Sequence, residues 1–268
     1  MKDLVQVIKE IVQNFNVIRR IANFNIRARF ADNYLGSIWD YLEPILYIAT
    51  YFVIFGMGLY HGTVAGHPYI LWLLVGIIPW YFIQGSFNKG LSSISSQLGL
   101  LTKTRFPISV APVMVMMQEI RRFLVMSIFG LAILLIFGEA ASVTWVGMLY
   151  AFVAMFATVL AHNIINSTLT VLIPDYKQAM NALFRVLFYT SGVIINLDTK
   201  GLPFVLTKLI EMFPFYYVIQ QFRNALLYDK WFFEDATQMF FFWVLTLFML
   251  VVGSMIHVRF RERFIDMV

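Results

Sequence analysis

Tyr69-Ile-Leu-Trp-Leu-Leu-Val-Gly-Ile-Ile-Pro-Trp-Tyr-Phe-Ile-Gln-Gly-Ser-Phe-Asn88 runs without a single charge. A bilayer core of about 30 Å takes roughly 20 apolar residues in a helix, so this stretch reads as a membrane span. Working outward from it, apolar stretches succeed one another almost unbroken from Ile38 to His257. A chain that is 60% hydrophobic, with mean hydropathy +0.75, does not have the composition of a soluble domain. The fold class is all-α, a polytopic membrane protein, and the function belongs to transport, signalling or intramembrane chemistry.

Six transmembrane helices are predicted, at about 38–60, 69–88, 109–137, 145–173, 180–197 and 237–257. Two apolar pieces before the last span, 203–212 and 214–227, are separated by Pro214 and are each too short to cross. They read as outer re-entrant or interfacial helices. Ahead of the first span, Leu4, Ile8, Ile11 and Phe15 recur at helical spacing opposite Lys2, Gln6, Lys9, Glu10 and Gln13. That pattern is an amphipathic interfacial helix, and the Arg19, Arg20, Arg27, Arg29 stretch after it reads as a basic elbow near lipid phosphates. The expected organisation is therefore 1–37 interfacial, 38–257 membrane domain and 258–268 basic tail. Nothing before Ile38 has the apolar core and cleavage site of a removable signal peptide.

Charge sets the expected orientation. With both termini inside, the inner side holds Lys2, Lys9, Arg19, Arg20, Arg27 and Arg29, then Lys89, Lys103 and Arg105, then Lys177 and Arg185, then Arg259, Arg261 and Arg263. The outer side holds only Lys200, Lys208, Arg223 and Lys230. This excess of inner basic residues is the usual topological signal. It also accounts for the net charge of +5 and the pI near 9.4, without invoking nucleic acid.

Several chemistries lack their residues. There is no cysteine, hence no disulfide or thiolate site. No G-x-x-x-x-G-K-[ST] loop is present to cradle ATP, and His61, His67, His162 and His257 form no metal-ligand motif. No metal site or cofactor is expected, and no aligned nucleophile or acid/base set can be assembled for an enzyme. Polar groups do occur within the third apolar region, where Gln118, Glu119, Arg121 and Arg122 cluster. Glu119 and Arg122 are spaced to pair on one helix face. From Ile108, Arg122 lies roughly 21 Å along a helix rising about 1.5 Å per residue. Either a watery passage or a long helix protruding into the cytoplasm fits that depth. In the first span, Tyr47 and Tyr51 stand one turn apart and offer polar-tipped surfaces on which sugar rings can slide, or simply pack between helices.

Four stretches carry a resemblance. Arg27-Ala-Arg-Phe-Ala-Asp-Asn-Tyr-Leu-Gly-Ser-Ile-Trp-Asp-Tyr-Leu-Glu-Pro44 resembles the start of the first span of ABC-type polysaccharide export permeases. Trp72-Leu-Leu-Val-Gly-Ile-Ile-Pro-Trp80 is similar to the second span of that family, and Leu101-Thr-Lys-Thr-Arg-Phe-Pro107 with Ala111-Pro112 to its next cytoplasmic segment. Pro214 and Phe222-Arg-Asn-Ala-Leu-Leu227 resemble its outer re-entrant region. The likeness runs in order over nearly the whole chain. Within the family it is nearest to teichoic-acid translocation permeases, with O-antigen permeases next.

The resemblance implies a transport subunit, not an enzyme: a half-transporter acting as a homodimer in the bacterial cytoplasmic membrane, with ATP and magnesium bound by two copies of a separate ATPase subunit. It implies a coupling segment at about 93–106, where Leu98, Leu100, Leu101, Lys103 and Arg105 dock on the ATPase, with Asp175 and Lys177 as a second contact. A polyprenyl-diphosphate-linked polymer would reach Arg19, Arg20, Arg27 or Arg29 at the inner leaflet. It would then pass a tunnel lined by Tyr47, Tyr51, Glu119 and Arg122. The competing readings are an ABC permease for another polysaccharide, a lipid or a drug, an ion-coupled carrier needing no partner, which calls for buried acidic groups, and a membrane enzyme acting on lipid-linked sugars.

Overall fold

The computed structural model describes residues 2–59, 62–104, 106–194, 196 and 203–264. The chain is helical almost throughout: α1 (Lys2–Gln13), α2 (Phe15–Arg29), α3 (Trp39–Tyr51), α4 (Tyr69–Leu91), α5 (Ser93–Thr104), α6 (Ala111–Ile136), α7 (Gly147–Leu172), α8 (Tyr176–Thr190), α9 (Phe204–Glu211), α10 (Pro214–Leu226) and α11 (Ala236–Phe260). A two-residue hairpin, β1 (Thr63–Val64) with β2 (His67–Pro68), is the one sheet among the described residues.

Among the described residues, four segments are long and apolar enough to cross a bilayer by themselves: Gly36–Phe55, Tyr69–Leu91, Val143–Leu172 and Ala236–Phe260. The other two expected spans depart from that pattern for definable reasons. At 26 residues, α6 is about 39 Å long, longer than a bilayer core, but it carries Glu119, Arg121 and Arg122. At 15 residues, α8 covers only about 22 Å and has a polar side. The first span also differs from a regular helix, because Phe52–Leu59 winds as a wider π-helix, a form frequent at functional positions.

At the centre lies α4, whose surroundings are α6, α7, α8 and α10. Its apolar residues need no polar face because neighbours enclose nearly all sides: Leu71, Leu73, Ile77, Trp80, Phe82 and Ile83 are fully buried. Aromatic rings fill this core. Trp80 stacks on Phe184 at 5.1 Å, Phe87 on the same ring at 3.9 Å, and Phe123 on Phe152 at 5.6 Å.

The first helix and the end of the last one meet at one end of the bundle, where Arg261 donates to Glu10 at 3.0 Å. There α1 packs on α11 and α2 on α6. The amphipathic first helix is arranged differently from the single apolar face read in the sequence. Leu4 and Val7 point into the protein beside Ala161, Ile164 and Leu250, while Val5, Ile8, Val12 and Phe15 face outward as a second apolar strip. A helix apolar on two sides can dock on the bundle and still lie against lipid. Nearby, His257 is buried between the hydroxyls of Ser109 and Thr168, 3.0 Å from each, and ties α11 to α7 and to the turn that follows α5.

The opposite end gathers the hairpin, the turn before α7 and the ends of α8 and α10. His67 and Glu139 are 2.7 Å apart, Tyr69 donates to the Ile194 carbonyl at 2.8 Å, and Thr144 bonds both the Ala225 carbonyl and Asp229 at 3.1 Å. Beside Pro214, Phe215 contacts Trp80, Phe184 and His162, midway along their helices. Beyond the other end of α10, Tyr228 accepts from Trp72 at 2.9 Å, two turns of α4 away from Trp80. Thus α10 runs from mid-depth to the end opposite the termini.

Candidate functional site

Two polar assemblies interrupt the apolar bundle on one side of α4. The first is a cluster of ionised groups from three helices. Arg122 of α6 donates from Nε to Asp40 Oδ1 at 3.1 Å and from Nη2 to Glu43 Oε2 at 2.6 Å, and its Nη1 lies 3.9 Å from Glu119 Oε2. Arg121 reaches the other Asp40 oxygen at 3.6 Å, and Lys89 pairs with Glu119. Asp40 and Glu119 are almost wholly buried. Three acids against three bases leave the cluster neutral, which is how charge survives in such a place: a lone buried ion costs several kcal/mol, roughly. Gly85 permits the arrangement. A methyl group there would sit 2.7 Å from Glu119 Oε2, so only glycine lets that carboxylate approach the α4 backbone.

The cluster lies level with the first turn of α3, which holds Asp40, and the last turn of α4, which holds Lys89. The two sequence-read residues Glu119 and Arg122 are therefore brought together, and Asp40, Glu43, Lys89 and Arg121 join them.

The second assembly is a strip of hydroxyls and amides. On α3, Tyr47 and Tyr51 have ring centroids 5.0 Å apart, and Tyr47 meets Tyr81 of α4 at 4.7 Å. From Tyr81 the strip continues along one face of α4 through Gln84 and Asn88, at spacings of three and four residues that align on a helix. Beyond Gln84 and Asn88 opens a cavity of about 470 Å³, lined also by Asn181, Phe184 and Arg185 of α8. Its volume is that of a small-molecule site, and its wall offers amide groups that both donate and accept. Asn88 and Arg185 are exposed at the subunit surface.

The remaining sequence-read residues fall elsewhere. Arg19, Arg20, Arg27 and Arg29 all lie on the exposed side of α2, whose opposite side buries Ile18, Ala22 and Ile26 against α6 and its surroundings. Asp175 and Lys177 are exposed at the start of α8. Leu98 is 6% exposed and packs among Ile18, Ile94 and Val110, so it faces the protein. Leu100, Leu101 and Lys103 belong to α5, with their side chains outside the described residues, as is Arg105 altogether. Among the described residues no group of three histidine or carboxylate side chains stands ready to hold a metal.

Sequence reasoning missed Gln84, Asn88, Asn181 and Arg185. A signal was present: each pair is spaced four apart, and the first pair interrupts an otherwise apolar span.

Comparison with known proteins accords with this architecture. The family model described as ABC-2 type transporter matches residues 16–227. The chain is 24% identical over 253 residues to an O-antigen export system permease protein RfbA of Klebsiella pneumoniae, covering 94% of this chain and 95% of that one. It is 24% identical to the RfbA of Myxococcus xanthus, over 81% of this chain and 84% of that one. The polysialic acid transport protein KpsM of Escherichia coli is 20% identical, over 88% of this chain and 90% of its own length.

Proposed function

This chain belongs to the ABC-2 type transporter family, and from that premise we propose that it is the permease subunit of an ATP-driven polysaccharide exporter. The observation that carries the reading is the polar strip from Tyr47 through Gln84 and Asn88 to Arg185, left at the subunit surface. Hydrocarbon offers an amide no partner, whereas a sugar chain brings hydroxyls in quantity. A second copy of the chain set against α3 and α8 closes the strip into a conduit. Weak and repeated contacts suit a moving polymer better than one deep site.

In this reading the chain crosses six times, through the first span, α4, α6, α7, α8 and α11. The α9–α10 pair dips inward from the outer side and returns. The end holding both termini is cytoplasmic, as its arginines and lysines favour. There α2 presents Arg19, Arg20, Arg27 and Arg29 to the diphosphate of a lipid-linked polymer, and α5 with the start of α8 docks on a separate ATPase. The neutral cluster around Arg122 holds α3, α4 and α6 together at the inner mouth. The relatives, named for O-antigen export and polysialic acid transport, favour a sugar polymer as cargo, with O-antigen-type glycan ahead of the teichoic acid that the sequence likeness brought first.

Leucine at both Tyr47 and Tyr51 should slow glycan export in cells about tenfold while leaving the assembled complex intact. Unchanged export removes these tyrosines from the path.

A further inference from the structure

We propose that the outer end carries a separate subsite for a neutral sugar unit, formed where α10 meets the loop leading into α11. The proposal rests on the reading above that this end faces outward and that the cargo is a glycan. A cavity of about 390 Å³ lies here, lined by Gln220, Gln221, Asn224, Trp231, Glu234 and Asp235 among others. It lies on different elements from the strip of α3, α4 and α8, and the transport path does not use its residues.

Three features make it a sugar site. Four amides, of Gln220, Gln221, Asn224 and Gln238, and two carboxylates share the wall with one indole, a set that meets hydroxyls with donors and acceptors and covers the apolar face of a ring. Second, Gln221 is only 4% exposed, yet its Oε1 has no hydrogen-bond partner. A buried acceptor left unmet costs about 1–3 kcal/mol, and a ligand hydroxyl in the adjoining cavity supplies the missing donor. Third, the wall is held in place. The Trp231 amide donates to Glu234 Oε1 at 2.7 Å and the Lys230 amide to the Asn224 carbonyl at 2.9 Å, while Phe232 stacks on Tyr150 at 4.1 Å.

Charge selects among sugars. Glu234 and Asp235 at the rim, against Lys230 alone, repel phosphate and uronate groups and leave a neutral unit as the preferred guest. Positioned past the conduit, such a site holds the emerging glycan between strokes and opposes backsliding.

The test uses the full chain with its ATPase partner in lipid nanodiscs. Saturation-transfer NMR reads binding of methyl β-glucoside, methyl α-mannoside and N-acetylglucosamine, with glycerol 3-phosphate as the anionic comparison. At least one neutral sugar should bind, glycerol 3-phosphate should not, and Gln221→Leu and Trp231→Ala should each weaken binding about tenfold. Trp231 is half-buried in the loop before α11 and belongs to no core cluster, so its variant separates loss of binding from loss of fold. No neutral sugar bound, or binding indifferent to Trp231→Ala, overturns the subsite, and glycan export intact in the same strain would leave the transport reading standing. Trp231-dependent binding by a chain that exports no glycan would support the subsite and sink the transport reading instead.

Discussion

Arg122 and Arg223 show two ways of keeping an arginine inside this bundle. Arg122 has carboxylates on three sides, from Asp40, Glu43 and Glu119. Replacing it with methionine leaves Arg121 and Lys89 alone against Asp40, Glu43 and Glu119, one buried negative charge in excess, and removing one partner of such a set costs about 3–5 kcal/mol. Arg122→Met should therefore unfold at a distinctly lower temperature in detergent, and adding Asp40→Asn should recover part of the loss. Arg223 has no carboxylate partner among the described residues. Fully buried, it lies 3.4 Å from the Trp72 ring centroid and donates to the carbonyls of Gly192 at 2.8 Å and Val193 at 3.1 Å. Gly76 leaves the room, since a methyl group there would come within 2.5 Å of Arg223 Nη2. Gly76→Ala should thus displace the guanidinium and cost about 1–3 kcal/mol, seen as a lower melting temperature, whereas an unchanged midpoint would mean the clamp is slack. The Glu119–Arg122 pair was legible in the sequence because both partners share one helix. Asp40, Glu43 and Lys89 were not, because their pairing across three helices leaves no spacing to read. Arg223, counted as an outer-loop charge, gave no sign of its burial.

Elements were legible where one period governed them. The apolar runs forecast α4, α7 and α11 closely, and Pro214 marked the break between α9 and α10. The π-turn after Tyr51 escaped, because a run of apolar residues carries no mark of winding. The N-terminal helix was foreseen as amphipathic but not as docked, since docking depends on Leu250 and Arg261 some 240 or more residues on. Its anchorage should depend on pH. Burial raises the Glu10 pKa, but the Ser109, Gln6 and Arg261 side chains around it outweigh that and hold it below the ordinary glutamate value. A carboxyl lowered by folding stabilises above its unfolded pKa, and that share is lost as pH falls through the folded one. Acid exposure below the ordinary glutamate range should therefore release α1 to limited proteolysis in the native protein, and Glu10→Gln should flatten that dependence. Equal release in both would take Glu10 out of the anchorage.

For the molecule as a whole, composition and charge carried the membrane class, and an ordered series of short motifs carried the family. What they could not carry is which surface faces a partner, because an apolar residue looks the same against lipid, a neighbouring helix or a second subunit. The polar strip on α3, α4 and α8, which the proposed function sets against a second copy, is visible only in three dimensions, where residues from separate spans line up beside one cavity. The sequence contains no G-x-x-x-x-G-K-[ST] loop, and the proposed function assigns ATP hydrolysis to a separate subunit. Gentle purification of the tagged chain from its native membrane tests this most directly. An ATPase subunit should be recovered in equal amount and be lost when Lys103 and Arg105 are reversed to glutamate. A chain that purifies alone and still transports would contradict it.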